Sequence, residues 1–173
     1  MGLRARSCAP NSARLKILLK IIPIPLDPVI RNKVASWSHR AWSIDFPGDT
    51  EQTYLDLYEQ SSHNATSLPY VCVAIADDGA VIGTATLVAD DELPGFEDLN
   101  PWLAAVWVEP EHRSVGVANA MVNHIEEKAA ALGYKNLFLY THDQQDWYLR
   151  HHWEIIGVGS LAHHAVTVMQ KAL

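Results

Sequence analysis

The clearest structural signal in this 173-residue chain is a helical pattern over residues 116–132. Its apolar side chains recur every three or four residues, which places them on one face of a helix. They are Val117, Met121, Val122, Ile125, Ala129 and Leu132. Gly133 follows, and glycine readily takes the left-handed conformation that ends a helix. The pattern therefore predicts a helix that packs on a core and stops at Gly133.

The loop in front of this helix reads RSVGVA from Arg113 to Ala118. The N–H groups of a first helical turn have no acceptor within the helix, so they are free to bind an anion. Gly116 would let the backbone approach that anion closely, and Arg113 would add positive charge. The loop predicts a pocket for pyrophosphate. Taken alone, the Arg-x-x-Gly-x-Ala pattern also fits an ordinary junction between a loop and a helix.

Negative charge is concentrated on the amino side of this loop. Fourteen Asp and Glu side chains lie between Arg40 and Arg113, and no Lys or Arg lies among them. The formal net charge of the chain is -7. Nucleic acid is disfavoured as a partner, because its phosphates are bound by cationic surfaces. We expect a cationic or amine-bearing ligand instead.

The length and composition predict one domain. The 173 residues are 49% hydrophobic and include six Trp, which is enough apolar material for a sizeable core. Residues 1–13 are interpreted as a loose basic tail, and residues 14–173 as the domain. Two lysines and two prolines interrupt the apolar residues that follow the tail. No stretch approaches the roughly 20 continuous apolar residues that a membrane crossing needs, so no membrane partner is expected.

The two cysteines, Cys8 and Cys72, do not predict a disulfide framework. Cys72 lies in the apolar run of residues 70–76, where a small buried side chain is expected. A reducing cytoplasm is consistent with this usage.

Hydrophobic periodicity and turn signals give the order of elements along the chain. Strands are predicted at residues 16–22, 71–75, 81–88, 102–108, 136–140, 153–158 and 165–169, and helices at 27–44, 49–60, 116–132 and 144–151. Asp27 before Pro28 marks a helix start, and either Asp49 or Thr50 caps the second helix. The fold class is α/β (α+β): a mixed, mostly antiparallel sheet of about seven strands flanked by about four helices. The RSVGVA loop falls in its one parallel strand-helix-strand step.

Several segments in this order resemble a known family. They are the strand at 102–108, the RSVGVA loop with its helix, the strand at 136–140, and the sequence YLRHHW at 148–153. This layout resembles the GNAT superfamily of N-acetyltransferases from about Leu15 to the carboxyl terminus. Residues 93–104 (LPGFEDLNPWLA) and 108–113 (VEPEHR) are similar to small bacterial members. The sequence THDQ at 141–144, followed by Trp147 and Tyr148, is similar to the actin N-terminal acetyltransferase as well.

The resemblance implies acetyl-CoA as the cosubstrate and no metal. Main-chain N–H groups of the loop and first helical turn would hold the pyrophosphate. Strand residues 106–108 would separate from the strand at 136–140, so that their free main-chain groups bind the pantetheine arm. The N–H of Val108 would polarise the thioester carbonyl. The cofactor-binding residues implied in this way are Val106, Trp107, Val108, Arg113, Ser114, Val115, Gly116, Val117, Ala118, Asn119 and Thr141.

The resemblance also implies a catalytic acid, Tyr148, which would protonate the departing thiolate. Without that context, Tyr148 reads as a core aromatic residue. The chain departs from the family pattern at His152, where glycine is common, and at Ser114 and Ala118, where glycines are frequent. Residues 103–105 lack the carboxylate that many relatives use as a base.

The general base is left open by the sequence. Glu97, Asp98, His142 or a chain of waters would serve, or the amine would arrive already neutral. In this fold the loops that flank the acceptor opening would carry seven acids: Asp45, Asp49, Asp90, Asp91, Glu92, Glu97 and Asp98. These acids would concentrate cations, or they simply keep the loops soluble. Four tryptophans would form either an aromatic substrate wall or core: Trp37, Trp42, Trp102 and Trp107.

These observations lead to one functional hypothesis and two alternatives. The chain is expected to transfer an acetyl group from acetyl-CoA to a primary amine of a small cationic molecule, by direct attack in a ternary complex. A non-catalytic acyl-CoA-binding module on the same fold is the alternative suggested by the missing strand carboxylate. A histidine-metal hydrolase is disfavoured, because the pairs at 151–152 and 163–164 are adjacent residues whose side chains diverge. A homodimer is suggested by analogy only.

Overall fold

The computed structural model describes residues 19–63, 66–162 and 164–173. Within them lies one seven-stranded sheet, in the order β1-β2-β3-β4-β5-β7-β6. The strands are β1 (Lys20–Pro23), β2 (Tyr70–Ile75), β3 (Val81–Val88), β4 (Trp102–Val108), β5 (Asn136–Thr141), β6 (Glu154–Leu161) and β7 (His164–Ala172). The helices are α1 (Pro28–Trp42), α2 (Glu51–His63), α3 (Val117–Ala131) and α4 (Gln145–Arg150), with a 3-10 turn at Pro110–His112. Only β4 and β5 pair in parallel, so the predicted fold class is confirmed.

Helix starts and stops follow local chemistry that the sequence predicted. The carboxylate of Asp27 accepts a hydrogen bond from the N–H of Val29 at 2.8 Å, which caps α1. Thr50 caps α2, because its hydroxyl oxygen accepts from the N–H of Thr53 at 3.3 Å. Gly133 ends α3 with a φ of 93°.

Some predicted bounds were wrong by a few residues. The first helix ends at Trp42 rather than at residue 44, because the carbonyl of Trp42 accepts from the N–H groups of both Asp45 and Phe46 in a tight turn. The last two strands are longer than predicted, because they pair with each other as far as Leu161 and His164. Part of the first predicted strand and the whole tail at residues 1–13 lie outside the described residues.

The sheet separates two cores, as β2 shows. Val71 and Val73 pack in a cluster with Tyr58 of α2, whereas Cys72 and Ala74 pack in a cluster with residues of α3. Successive residues of a strand point to opposite faces of the sheet. Therefore α1 and α2 cover one face, and α3 covers the other.

Two irregularities of β4 open the middle of the sheet. β4 meets β5 in register at a single pair, Trp102 with Phe138, and the strands separate beyond it as expected. Toward β3, the register shifts between Thr84 and Thr86, and Ala105 takes a left-handed φ of 51°. One extra residue on β4 at this point constitutes a β-bulge. The bulge and the separation together create a cleft through the sheet.

A glycine on β3 makes room for this part of β4. A Cβ at Gly83 would lie 2.8 Å from the carbonyl oxygen of Trp107 and 2.9 Å from the Cε of Met121 in α3. Gly83→Ala is therefore expected to lower the free energy of unfolding by about 1–3 kcal/mol, the usual cost of overpacking. Gly48→Ala is the matched control, because nothing lies within 4 Å of a Cβ there. Equal urea midpoints for the two variants would contradict this prediction.

Candidate functional site

The separation of β4 and β5 produces a cleft of about 930 Å³. Its walls come from α1, α2, the loop between β3 and β4, the facing strands, and α4. A smaller cavity of about 110 Å³ lies at the start of α3. Both are lined by Val108, Arg113, Ala118 and Trp147. The two spaces are therefore parts of one continuous site.

The smaller cavity has the geometry of an anion pocket. α3 begins at Val117, so the N–H groups of its first three residues have no acceptor within the helix. Gly116 precedes them as the N-cap with a φ of 96°, and Ser114 has a φ of 62°. Nothing lies within 4 Å of a Cβ built at Gly116, so there is room for a group of an incoming ligand.

The residues predicted to hold the pyrophosphate are gathered around this cavity. Those that line it are Arg113, Ser114, Gly116, Val117, Ala118 and Asn119, together with Val108 of β4 and Trp147 of α4. Val115 is not among them, and its side chain is 56% exposed. Only its main chain remains a candidate ligand.

Arg113 lies where the two spaces meet. Its Nε–H donates to the carbonyl oxygen of Val108 at 2.8 Å, and its guanidinium lies 4.9 Å from the ring centre of Trp107. A guanidinium is always charged and stacks well on aromatic rings. These contacts fix a positive charge beside the anion pocket.

Main-chain groups at the end of β4 face the cleft. The N–H of Glu109 donates to the carbonyl of Ile82, toward β3, so the main-chain groups of the preceding residue, Val108, point the other way. The carbonyl of Val108 is the one that accepts from Arg113. The N–H of Val108 therefore points into the space between β4 and β5.

Tyr148 lies in α4 against the cleft and is 8% exposed. It packs edge-on against Trp147 and Trp153, with ring centres 4.9 and 5.6 Å away. No residue in the described part of the chain bonds its hydroxyl. Burial raises the pKa of Tyr148 well above its ordinary value, so the hydroxyl keeps its proton and remains a donor.

The turns on both sides of α4 hold Tyr148 in place. The hydroxyl oxygen of Thr141 accepts from the N–H of Gln144 at 3.1 Å, and Thr141 also lines the cleft. His152 takes a left-handed φ of 65° after the helix. The chain therefore makes a left-handed turn at this position with histidine, where relatives commonly have glycine. The N–H of Trp153 donates to the carbonyl of Tyr148 and completes the turn.

Six carboxylates line the cleft: Asp45, Asp49, Asp90, Asp91, Glu92 and Asp143. Two base candidates from the sequence are absent from its lining, Glu97 and Asp98. The carboxylate of Glu97 accepts from the N–H of Gly95 at 2.8 Å, which lowers its pKa and holds it in its own turn. The carboxylates of these two acids therefore lie outside the cleft itself. His142 does line the cleft, with Nε2 3.2 Å from the Asp45 carboxylate.

Asp91 differs from the other cleft acids. Burial of its carboxyl raises the pKa of Asp91 to about 8, the Tyr140 hydroxyl opposes this rise, and the charges of Asp90 and Glu92 add to it. Tyr54 of α2 also feels the charge of Asp91. The sequence grouped Asp91 with its exposed neighbours, because burial of a loop carboxylate leaves no local signal.

One further polar side chain of the cleft, that of Thr86, was not named by the sequence prediction. Thr86 of β3 lines the cleft and is 2% exposed, and its hydroxyl has no partner among the described residues. The indole N–H of Trp107 is likewise buried and unpartnered in that part of the chain. Thr86 lies within a run of β-branched and small residues, which only indicated a strand. No sequence signal distinguished it from its neighbours.

The aromatic residues divide between the site and the core. Trp42 and Trp107 line the cleft and contact each other edge-to-face at 6.4 Å. Trp37 and Trp102 are buried in separate hydrophobic clusters. Two of the four tryptophans therefore line the cleft, and the other two belong to the core.

The histidines of the described residues do not form a metal site. No group of three or more His, Cys, Asp or Glu side chains there is arranged to hold an ion. His151 stacks on Trp147 at 3.9 Å and bonds its carbonyl, and His163 lies outside the described residues. Cys72 is free and buried, and burial raises the pKa of its thiol to about 12. No described helix is long and apolar enough to span a membrane.

The loop that carries Asp91 is anchored on β6. Leu93 is buried in a cluster with Trp102 and Leu161. A Cβ at Gly159 would lie 3.0 Å from the side chain of Leu93, so this glycine permits close packing of the loop. Gly159→Val is expected to displace the loop and lower the free energy of unfolding by about 1–3 kcal/mol, the usual cost of overpacking. Ser160→Val, on the exposed face, is the matched control, and equal urea midpoints for the two variants would contradict the prediction.

Comparison with known proteins is consistent with this geometry. Residues 32–153 match the model of the acetyltransferase (GNAT) family. An aminoglycoside 6'-N-acetyltransferase complexed with coenzyme A superposes with a TM-score of 0.68 at 15% identity, covering 88% of this chain and 96% of that one. YncA of Salmonella typhimurium, solved with its cofactor acetyl-CoA, gives 0.66 at 17% identity, covering 91% and 94%. The IAA acetyltransferase from Bacillus cereus ATCC 14579 gives 0.61 at 14% identity, covering 90% and 99%. At these identities the structures establish a shared fold.

Proposed function

Because the chain belongs to the GNAT acetyltransferase family, we propose that it transfers the acetyl group of acetyl-CoA to a primary amine of a small cationic molecule. One observation carries the proposal: the anion pocket at the start of α3 continues into an acidic cleft through the sheet. An anionic cosubstrate and a cationic acceptor would thus enter from different sides. They would meet where β4 and β5 separate.

The pocket at α3 fits a CoA pyrophosphate. It offers unpaired main-chain N–H groups, the positive end of a helix and the charge of Arg113. The open space at Gly116 leaves room for a phosphate group to approach the backbone. The pantetheine arm would lie along the free edge of β4, and this proposal is supported by relatives that bind CoA or acetyl-CoA.

The cleft on the other side suits an amine. Six carboxylates line the cleft. Among the described residues that line it, Arg113 is the one Lys or Arg. Trp42 and Trp107 add aromatic faces, which attract organic cations. Two structurally similar proteins are named as aminoglycoside 6'-acetyltransferases, which supports a small amine as the acceptor.

The chemistry follows from this placement. The amine nitrogen attacks the thioester carbon, and the N–H of Val108 stabilises the charge that develops on the carbonyl oxygen. The carbon–sulfur bond then breaks, and the sulfur takes the proton of the Tyr148 hydroxyl. The products are an acetamide and CoA with a free thiol.

Release of free thiol from acetyl-CoA across a panel of amines tests the proposal. We expect turnover with small diamines and slower turnover with amines that carry a carboxylate, because six acids face the cleft. Calorimetry on the same protein measures CoA binding separately. Binding of CoA without turnover of any amine would favour the non-catalytic module, and absence of CoA binding would overturn both readings.

A further inference from the structure

The acceptor side of the cleft contains an acid and a hydroxyl that the sequence did not single out. We propose that Asp91 and Thr86 form the subsite for the attacking nitrogen: Asp91 is the general base, and the Thr86 hydroxyl positions the amine. This inference rests on the proposed function. It assigns the base that is missing from residues 103–105 of β4.

Thr86 is placed beside the reacting centre by the sheet register. It pairs with Ala104, immediately before the bulge residue Ala105, in the part of β4 that has separated from β5 beyond the pair of Trp102 with Phe138. Its hydroxyl is buried and has no protein partner within residues 19–63, 66–162 and 164–173. Buried hydroxyls are nearly always hydrogen-bonded in folded proteins. An unpartnered one that lines a cleft indicates a place for a polar group of a ligand.

The other carboxylates of the cleft are engaged or exposed. Asp45 lies 3.2 Å from His142, and Asp90 accepts from the N–H of Glu92 at 2.9 Å. Asp49 lies beside Tyr54, where burial and then the effect of the Asp49 carboxylate raise the pKa of that tyrosine. The two remaining acids are exposed, Glu92 and Asp143. Asp91 lines the wall of the cleft and is half-buried, whereas its neighbours Asp90 and Glu92 are exposed.

The surroundings of Asp91 suit proton transfer near neutral pH. The hydroxyl of Tyr140 in β5 donates to the main-chain carbonyl of Asp91 at 3.4 Å, and Asp90 and Glu92 lie on the same loop. Tyr54 of α2 feels the charge of Asp91. The pKa of about 8 brings the carboxyl close to the pH at which an efficient base operates. A bound ammonium would favour the carboxylate form by its charge.

The proton balance of the step is complete. An incoming ammonium first gives one proton to solvent and becomes a neutral amine. As the new nitrogen–carbon bond forms, the nitrogen loses a second proton to the Asp91 carboxylate. As the carbon–sulfur bond breaks, the sulfur gains the proton of Tyr148. Solvent then restores both side chains, so no further reactant is needed.

Asp91→Asn is the decisive variant. It keeps the shape and hydrogen bonds of the neutral acid, so the fold should persist, but it cannot accept a proton. We expect kcat to fall about a hundredfold or more, with the Kd for CoA within about twofold of wild type. The rise of kcat/KM with pH near 8 should disappear as well. Asp98→Asn, an exposed acid outside the cleft, is the control.

Thr86 is tested by Thr86→Val, which keeps the shape but removes the hydroxyl. We expect the KM for the amine to rise about fivefold to tenfold, as for the loss of one hydrogen bond, with kcat less affected. Thr86→Ser should restore the KM, which a purely structural role of the methyl group would not predict. An unchanged KM in Thr86→Val would remove Thr86 from the subsite.

The stability of the protein gives a readout besides activity. A raised pKa in the folded state means that stability is full below the unfolded pKa and is lost as pH rises through the folded pKa. Wild type should therefore lose stability between about pH 4 and 8 relative to Asp91→Asn, by roughly 10 °C or more in Tm at pH 9. Equal Tm profiles, or full activity of Asp91→Asn with its pH rise intact, would overturn the assignment of the base. If wild type itself acetylates no amine, the proposed function fails first and this inference falls with it.

Discussion

Gly116→Asp is expected to abolish measurable binding of CoA. Gly116 is the N-cap of α3, and a carboxylate there would face the pyrophosphate that the next three N–H groups are proposed to hold. Two like unit charges 4 Å apart repel by about 4 kcal/mol at the effective dielectric constant near a protein surface. That repulsion corresponds to about a thousandfold loss of affinity, which isothermal titration calorimetry measures directly.

Gly116→Asn separates the charge from the backbone effect. Both variants replace a glycine at a φ of 96° and share a backbone cost of about 1 kcal/mol. Nothing lies within 4 Å of a Cβ at this position, so both should fold. The Asn variant should retain most of the affinity that the Asp variant loses. Unchanged affinity in Gly116→Asp would remove the phosphate-loop assignment.

Tyr148→Phe is expected to lower kcat about a hundredfold to a thousandfold, the usual range for a general acid. The hydroxyl lines the cleft and has no hydrogen-bond partner within the described residues. Its removal therefore leaves no other protein group without a hydrogen bond. The ring packing against Trp147 and Trp153 is retained in Phe. The Kd for CoA should therefore stay within about twofold of wild type.

The pH profile and a matched variant sharpen this test. Burial keeps the Tyr148 hydroxyl protonated, so its ionisation should not reduce kcat below about pH 10. Tyr134→Phe is the control, because Tyr134 packs against the same core away from the cleft. Equal losses of kcat and CoA affinity in Tyr148→Phe would make Tyr148 a packing residue.

The features that the sequence predicted well are those with local causes. The helix behind Arg113 begins and ends within a residue or two of its predicted bounds, because a glycine stands at each end. The N-cap at Asp27 depends on a contact two residues away. The order of elements and the parallel strand-helix-strand step followed from hydrophobic periodicity and turn signals, which are also local.

The sequence did not predict which acids line the cleft. Three candidate bases were named, and two of them, Glu97 and Asp98, lie outside the cleft. The turn at Gly95 holds the Glu97 carboxylate, whereas the buried Leu93 brings the preceding residues, including Asp91, to the wall. Neighbouring acids in one loop thus end in different environments. Their order in the sequence carries no information about which is buried.

The sequence by itself determined the parts of the proposed anion pocket, because its loop, glycine and helix start are contiguous and act through their own backbone. Only the tertiary structure decided which side chains form the proposed acceptor subsite. Thr86 reaches the cleft through the register of β3 on β4, and Asp91 lines the cleft on a loop that packs against glycines of β6. Contacts between distant segments depend on the folded sheet as a whole, and the burial that changes the chemistry of a carboxyl exists only once that sheet has formed.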